Sequence, residues 1–501
     1  MKKILSAMLA LIMIFALSAC AGSSEDNDGT DLAGTYDITI WAPEAAVELT
    51  KSQVAAFNSS NTNGIVFNVT VEPVSEADAG TNMITDVEAG GDLFFFAQDQ
   101  FARLVQAGAL AKLGTAAGKT VAEANAAGVV SAATSGSDMY AYPLTADNGY
   151  FMYYDKSVIP DTDVDSLEKL IEDCEKAGKY FSFEMGTSAW YLASFFFATG
   201  CVSEWTTDSD GTFTTVNDTF DSANGLIAVK GMKKLVDSPM HLSSSQGTEF
   251  ASGAAIVVTG TWDYETVKGI LGDNMGVTDL PSFTVDGTSY HLGSFNGCKL
   301  LGVKPQSNAV RQAALHKLAQ YLTSYDCQME RFNSLSWGPA NTEAQANEAV
   351  QANPGLAALL AQSPYSVPQG QIHGSWWDIA KVIADDVKAA TDDAGLQKAL
   401  DNYQDKINAL FNMSDSEKNS FSVIGDINGD TWSVDLEMEE VESGVWMTKN
   451  AYQLEAGNQF KVRQGKSWDV AYPAENYVVE SAGTYYIQLN STTGEVSLIA
   501  G

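Results

Sequence analysis

Apolar and polar side chains first alternate at Asp37-Ile38-Thr39-Ile40-Trp41, the period-two signature of a strand, and Val66 to Val71 repeats it. Between them Val47, Thr50, Val54 and Phe57 recur at helical spacing. Asp92-Leu93-Phe94-Phe95-Phe96 is a short continuous apolar run, which predicts a strand buried on both faces of a parallel sheet. Phe101, Leu104 and Val105 then mark a helix that stops near Gly108. Further on, Leu167, Leu170, Ile171 and Cys174 predict a helix capped by Asp165 or Ser166 and ended by Gly178. A strand is expected over Ala254–Thr259, with helices over roughly 309–323 and 376–411. Strands alternating with helices over some 380 residues mean α/β, in more than one folding unit.

The texture changes after residues 413–420, a Ser/Asp/Lys/Asn stretch that reads as a linker. From 421 to 501 the chain carries short alternating runs: Trp432–Met438, Gln459–Arg463, Trp468–Tyr472, Tyr477–Glu480, Tyr485–Asn490 and Val496–Ala500. Glycine-bearing turns separate them, so this part is expected to be a small all-β sandwich.

The amino terminus carries an address. Lys2 and Lys3 precede an uncharged apolar run, Ile4 to Ala19, of 16 residues. That is short of the ~20 a membrane-spanning helix needs, and it reads as a secretory signal over 1–19. Leu17-Ser18-Ala19-Cys20 resembles the bacterial lipoprotein box, which makes Cys20 the expected lipidation site and 20–35 a flexible tether. Localisation at the cell membrane, lipid-anchored on the extracytoplasmic face, follows.

Composition narrows the partner. Of 501 residues, 28 are Lys or Arg and 63 Asp or Glu, for a net charge of −35. Phosphate contacts need cations, so no nucleic-acid partner is expected. The remaining cysteines, Cys174, Cys201, Cys298 and Cys327, form no CxxC and fit no zinc spacing; buried free thiols are expected. Asp426, Asn428, Asp430 and Glu437 share spacing with a calcium loop, but Thr431 replaces the required glycine. A turn entering a strand is the better reading. Asp161, Asp163, Asp165 and Glu172 have a similar spacing, but these carboxylates lead into a helix, whose N-terminal dipole they suit without a metal. Neither a metal nor a cofactor is expected.

Aromatic residues cluster beside predicted turns. Trp41 with Glu44, Asp99, Asp147, the Trp190-Tyr191 pair, Trp262 and the Trp376-Trp377 pair all fall near strand ends or helix starts. Ligands of open α/β sheets bind there. Rings interleaved with carboxylates suit a sugar, whose C–H face stacks on an indole while acids accept bonds from its hydroxyls.

The segment Asp92-Leu93-Phe94-Phe95-Phe96-Ala97-Gln98-Asp99-Gln100-Phe101, followed by Ala107-Gly108-Ala109-Leu110, resembles the signature of maltose/maltodextrin-binding proteins, the extracellular receptors of ABC sugar importers. Ala141-Tyr142-Pro143-Leu144 with Asp147, Gly253-Ala254-Ala255 leading to Gly260-Thr261-Trp262, Gly276-Val277 with Leu280-Pro281, and Pro368 with Trp376-Trp377 match in the same order. Gln100 departs from the pattern, since many relatives carry a basic residue there. The resemblance covers about 36–412. It implies a two-lobed, periplasmic-binding-protein-like (type II) fold with a hinge, one lobe over about 36–145 and 295–342, the other over about 146–294 and 343–412. It also implies that Asp99 and Asp147 bond sugar hydroxyls, that Glu44 is a polar contact, and that Trp190, Tyr191, Trp262 and Trp376 or Trp377 stack on glucose.

Residues 421–501 are similar to starch-associated modules of amylases, with Trp446 and Trp468 as the implied platform. The expected function is a non-enzymatic, monomeric receptor that delivers maltodextrin (α-1,4-glucan) oligosaccharides to ABC permease subunits. The competing readings are a static starch-binding surface protein and a glycoside hydrolase. The latter would need two carboxylates, such as Asp99 and Asp147, at a defined separation.

Overall fold

A computed structural model of the chain describes residues 31–207, 212–412, 415–427, 430–432, 434–466 and 470–501. The expectations at Cys20, Asn428 and Trp468 lie outside the described residues.

Two central sheets organise the α/β part. In the first, strand Gly34–Ala42 runs parallel to both Ile65–Pro73 and Leu93–Ala97. Ser294–Val303 then pairs antiparallel with Leu93–Ala97 and with Ala141–Gly149, and parallel with Ser366–Pro368. Every residue of Leu93–Ala97 is buried, as its unbroken apolar run predicts for a strand covered on both faces. The second sheet has the order His241–Leu242, Tyr180–Ser182, Ala254–Thr259, Phe151–Asp155, Met275–Thr278.

Each sheet has its own core. Tyr142, Leu144, Cys298 and Leu300 belong to the first, Tyr150, Met152, Leu292 and Phe295 to the second. The chain therefore passes from one core to the other within a few residues, once along Ala141–Gly149 and once entering Ser294–Val303. Two adjacent, antiparallel crossings of this kind make a hinge.

Local signals act as physical chemistry requires. The Ser166 hydroxyl caps Leu167–Ala177 by accepting from the Lys169 N–H, and Gly178 ends the helix at φ 62°. A left-handed residue there favours glycine. The helical region expected over 376–411 consists of three helices, Gly374–Lys381, Ile383–Ala389 and Asp393–Asn412. The Asp392 carboxylate accepts from the Gly395 N–H at 2.9 Å, the local bond that favours a restart over continuation.

Residues 421–501 are all-β. Their strands form one antiparallel ladder in the order Tyr452–Leu454, Gly483–Asn490, Val445–Thr448, Leu436–Glu442, Phe421–Ile427, Gln459–Gln464, Ala471–Val478. Phe460, Val462, Ile487 and Leu489, from opposite ends of that ladder, share one core. Where the calcium-like spacing lies, Asp426 pairs antiparallel with Thr431 and Ile427 with Asp430. Among the described residues no cluster of three or more acidic, His or Cys side chains could hold a metal, and no helix is long and apolar enough to cross a membrane. Cys174, Cys201, Cys298 and Cys327 are free and buried.

Candidate functional site

Asp99 lies in the single tight turn Gln98–Gln100 that follows the buried strand Leu93–Ala97. Its carboxylate accepts from Gln369 Nε2 at 2.9 Å. Burial lifts its pKa to about 6, against the opposing pull of Arg103, its own backbone and Gln369. The group is therefore mostly an ionised acceptor at neutral pH and takes up a proton under mildly acidic conditions. An acid with a raised folded pKa stays protonated in the native state between about pH 4 and 6, while the unfolded chain has released that proton. Its contribution to stability thus falls as pH rises through that window. Stability of Asp99→Asn measured against wild type in urea is accordingly expected to be relatively higher at pH 7 than at pH 4, and a pH-independent gap would contradict the burial of this acid.

Gln369, which follows the edge strand Ser366–Pro368, joins the site together. Its Oε1 accepts from Trp190 Nε1 at 3.2 Å and from Asn148 Nδ2 at 3.1 Å, while Gln98 Nε2 donates to its carbonyl. Asp99 is thereby linked to Trp190 through one side chain. The Trp190 ring lies 5.0 Å from Tyr191 and 6.0 Å from Trp262. Trp262 occupies the turn after strand Ala254–Thr259, as Asp99 does after its own strand.

A cation completes this aromatic group. Lys299 Nζ lies 5.3 Å from the Trp262 ring and 4.8 Å from that of Trp337, and pairs with Glu76 at 2.9 Å. Burial pulls its pKa down, but Glu76 and Asp147 more than offset this and hold the ammonium above the usual lysine range. Asp147 is itself only 2 % exposed. Its Oδ2 accepts from Thr261 Oγ1 at 2.6 Å and from the Gly338 N–H at 2.5 Å. The acid thus ties the hinge strand Ala141–Gly149 to the Trp262 turn.

The expected residues separate into two groups. Asp99, Asp147, Trp190, Tyr191 and Trp262 are brought together, and Trp377 joins Asp99 in lining a cavity of about 390 Å³. That volume is at the lower end for small-ligand pockets, ~300–1,000 Å³. Trp376 is elsewhere. It is 1 % exposed, its indole donates to the Tyr403 hydroxyl at 2.9 Å, and it packs against Phe220 and Phe295 in the second core. Trp41 also belongs to a core, with its Nε1 donating to Glu72 at 2.9 Å. Glu44 is exposed in the turn just after strand Gly34–Ala42. In the β region Trp446 is half-buried, edge-on to Phe421 at 5.2 Å, so one side of its ring is already used in packing.

Gln369, Lys299, Glu76 and Trp337 are not among the residues expected from sequence. Lys299 carries the only usable signal: it is a lone cation inside the otherwise apolar and glycine run Cys298–Val303. Taken together, the site offers rings for flat C–H faces, two buried carboxylates, and amide and ammonium donors. Such a set is chemically suited to a neutral polyhydroxylated ligand, through stacking and charge-assisted hydrogen bonds.

Comparison with known proteins agrees with the fold. The model of the bacterial extracellular solute-binding proteins matches residues 52–358. One solved structure, determined with acarbose, is 29% identical, has a TM-score of 0.65, and is matched over 75% of this chain and 100% of its own. The maltodextrin-binding protein MalE1 from L. casei BL23, without ligand, is 22% identical with a TM-score of 0.63, over 75% and 99%. The maltose/maltodextrin-binding domain MalE from Bdellovibrio bacteriovorus, bound to maltotriose, is 18% identical with a TM-score of 0.59, over 74% and 100%. The last two carry the fold alone. No curated relative matches by sequence. With its two sheets, its hinge strands and more than half its length matched, the chain belongs to the bacterial extracellular solute-binding protein family.

Proposed function

We propose that the chain is the receptor of an ABC sugar importer, held on the extracytoplasmic face by lipid on Cys20, and that it binds maltose and longer α-1,4-glucans. Its lobes would comprise about 36–145 with 295–342, and about 146–294 with 343–412. The observation that carries this reading is the meeting of Trp190, Trp262 and Asp99 around Gln369, since these residues come from different elements flanking the hinge. The solved relative determined with acarbose supports the same ligand class.

Ligand would enter between the lobes, lay its glucose faces on the tryptophans and offer hydroxyls to Asp99 and the neighbouring amides. Contacts made only when the lobes are closed would shift the population to that state, which a permease would read. Replacing Trp262 by Ala removes a stacking face and its buried area, an expected loss of ~1–3 kcal/mol in maltodextrin affinity by calorimetry. Unchanged affinity would take this tryptophan out of the site.

A further inference from the structure

The cavity beside Asp99 is not built by the two α/β lobes alone. One side comes from the first lobe, through Asp78, Asn82, Asp99 and Arg103. A second comes from Gly374 and Trp377, at the start of a helix whose Trp376 is anchored in the second core. The third side is Lys461 and Asn476, which belong to the carboxyl-terminal β module.

The module is held there by bonds to the Gly374–Lys381 helix and by packing against the first lobe. Arg463 is buried and forks between two acids: its Nη1 donates to Asp378 at 2.8 Å, while Nε and Nη2 donate to the two Asp435 oxygens at 2.9 and 2.7 Å. Asp378 is on the Gly374–Lys381 helix, and Asp435 is in the module itself. Burial raises the Asp435 pKa, but Arg463 overrides that and holds it below the usual carboxylate range. The Ser375 hydroxyl adds a bond to the Lys466 carbonyl at 3.0 Å. On the other flank, module strand Ala471–Val478 packs against helix Ala79–Thr85 of the first lobe. A buried guanidinium forked between two half-buried acids fixes orientation as well as position. The module is therefore docked in one register, with its Lys461 and Asn476 edge facing the cavity.

We propose that the β module is the third wall of the ligand site: it closes the cleft at the Asp99–Trp377 end, and Lys461 and Asn476 contact the terminal sugar residue of a linear oligosaccharide. This rests on the sugar-receptor reading and gives it a specificity element. A cavity lined by an indole, two carboxylates, two amides and two cations matches one pyranose presenting hydroxyls on several sides. A wall at that point stops a glucan from running on, so the receptor reads a chain end and not an internal stretch.

Asn476 is exposed on the module's edge, with its amide donating to Gln459 Oε1 at 2.9 Å, so it tolerates replacement without loss of core. Maltotetraose is titrated calorimetrically into the full mature protein and three variants. Asn476→Trp fills the cavity and is expected to weaken binding at least tenfold. Asn476→Ala, which only removes the amide, should cost about threefold, and it stands as the second variant if the larger side chain lowers the melting temperature. Glu495→Trp, on an exposed strand end of the same module, should match wild type. Affinities within twofold of wild type for both Asn476 variants would overturn the third wall while leaving the receptor reading intact. A wild type that binds no maltotetraose would overturn the receptor reading and this extension with it.

Discussion

Replacing Trp376 by Ala is expected to lower the stability of the protein by about 3–5 kcal/mol, whereas Trp377→Ala should cost far less stability and act on ligand affinity instead. The two tryptophans are adjacent on one helix, yet their surroundings differ. Trp376 is fully buried among Phe220, Phe295 and Trp377, and its N–H is satisfied by Tyr403, whose hydroxyl in turn donates to Asp218 Oδ2 at 2.5 Å. Truncation opens a large cavity and removes a buried hydrogen bond. Trp377 is only half-buried and borders the cavity with Asp99. Urea denaturation and sugar titration of both variants settle the assignment. Equal stability losses with equal affinities would mean that neither ring faces the site.

The second large effect is expected at Asp147. Changing it to Ala should destabilise the unliganded protein by roughly 2–4 kcal/mol, because two donors, Thr261 Oγ1 and the Gly338 N–H, lose a charged acceptor in a buried setting. Lys299 loses one of the two acids that hold its proton. Asp147→Asn keeps an acceptor oxygen and should cost less. Denaturant midpoints for the two variants provide the comparison. If the Ala variant is as stable as wild type, the bonds between the hinge strand and the Trp262 turn contribute nothing.

Much of this architecture is legible in the chain because local rules decide it. The unbroken runs at Leu93–Phe96 and Ala254–Thr259 form buried central strands, and Ser166 with Gly178 bounds its helix. Strand Phe421–Ile427 escapes notice for a physical reason: it is buried on both faces in the middle of its ladder, so no alternation marks it. The segment around Pro143 lies inside strand Ala141–Gly149. The site is less legible than the fold. Asp99 and Trp262 stand out because each follows a strong strand, but sequence cannot say which of two adjacent tryptophans turns inward. Gln369 meets Asp99 across 270 residues, and Arg463 meets Asp378 across 85. Only tertiary structure can make such pairs, and they are what dock the β module and connect the rings to the acids.

The rings and acids flanking the hinge are proposed to form a closing site for glucose oligomers. Titration of the mature protein with maltose, maltotriose, maltotetraose and the unrelated sugar sucrose, followed in parallel by small-angle scattering, tests it most directly. The expected result is saturable binding of the maltodextrins alone, with a smaller radius of gyration in the bound state. Heat and scattering curves unchanged by every maltodextrin, or shorter sugars released into solution, would contradict it.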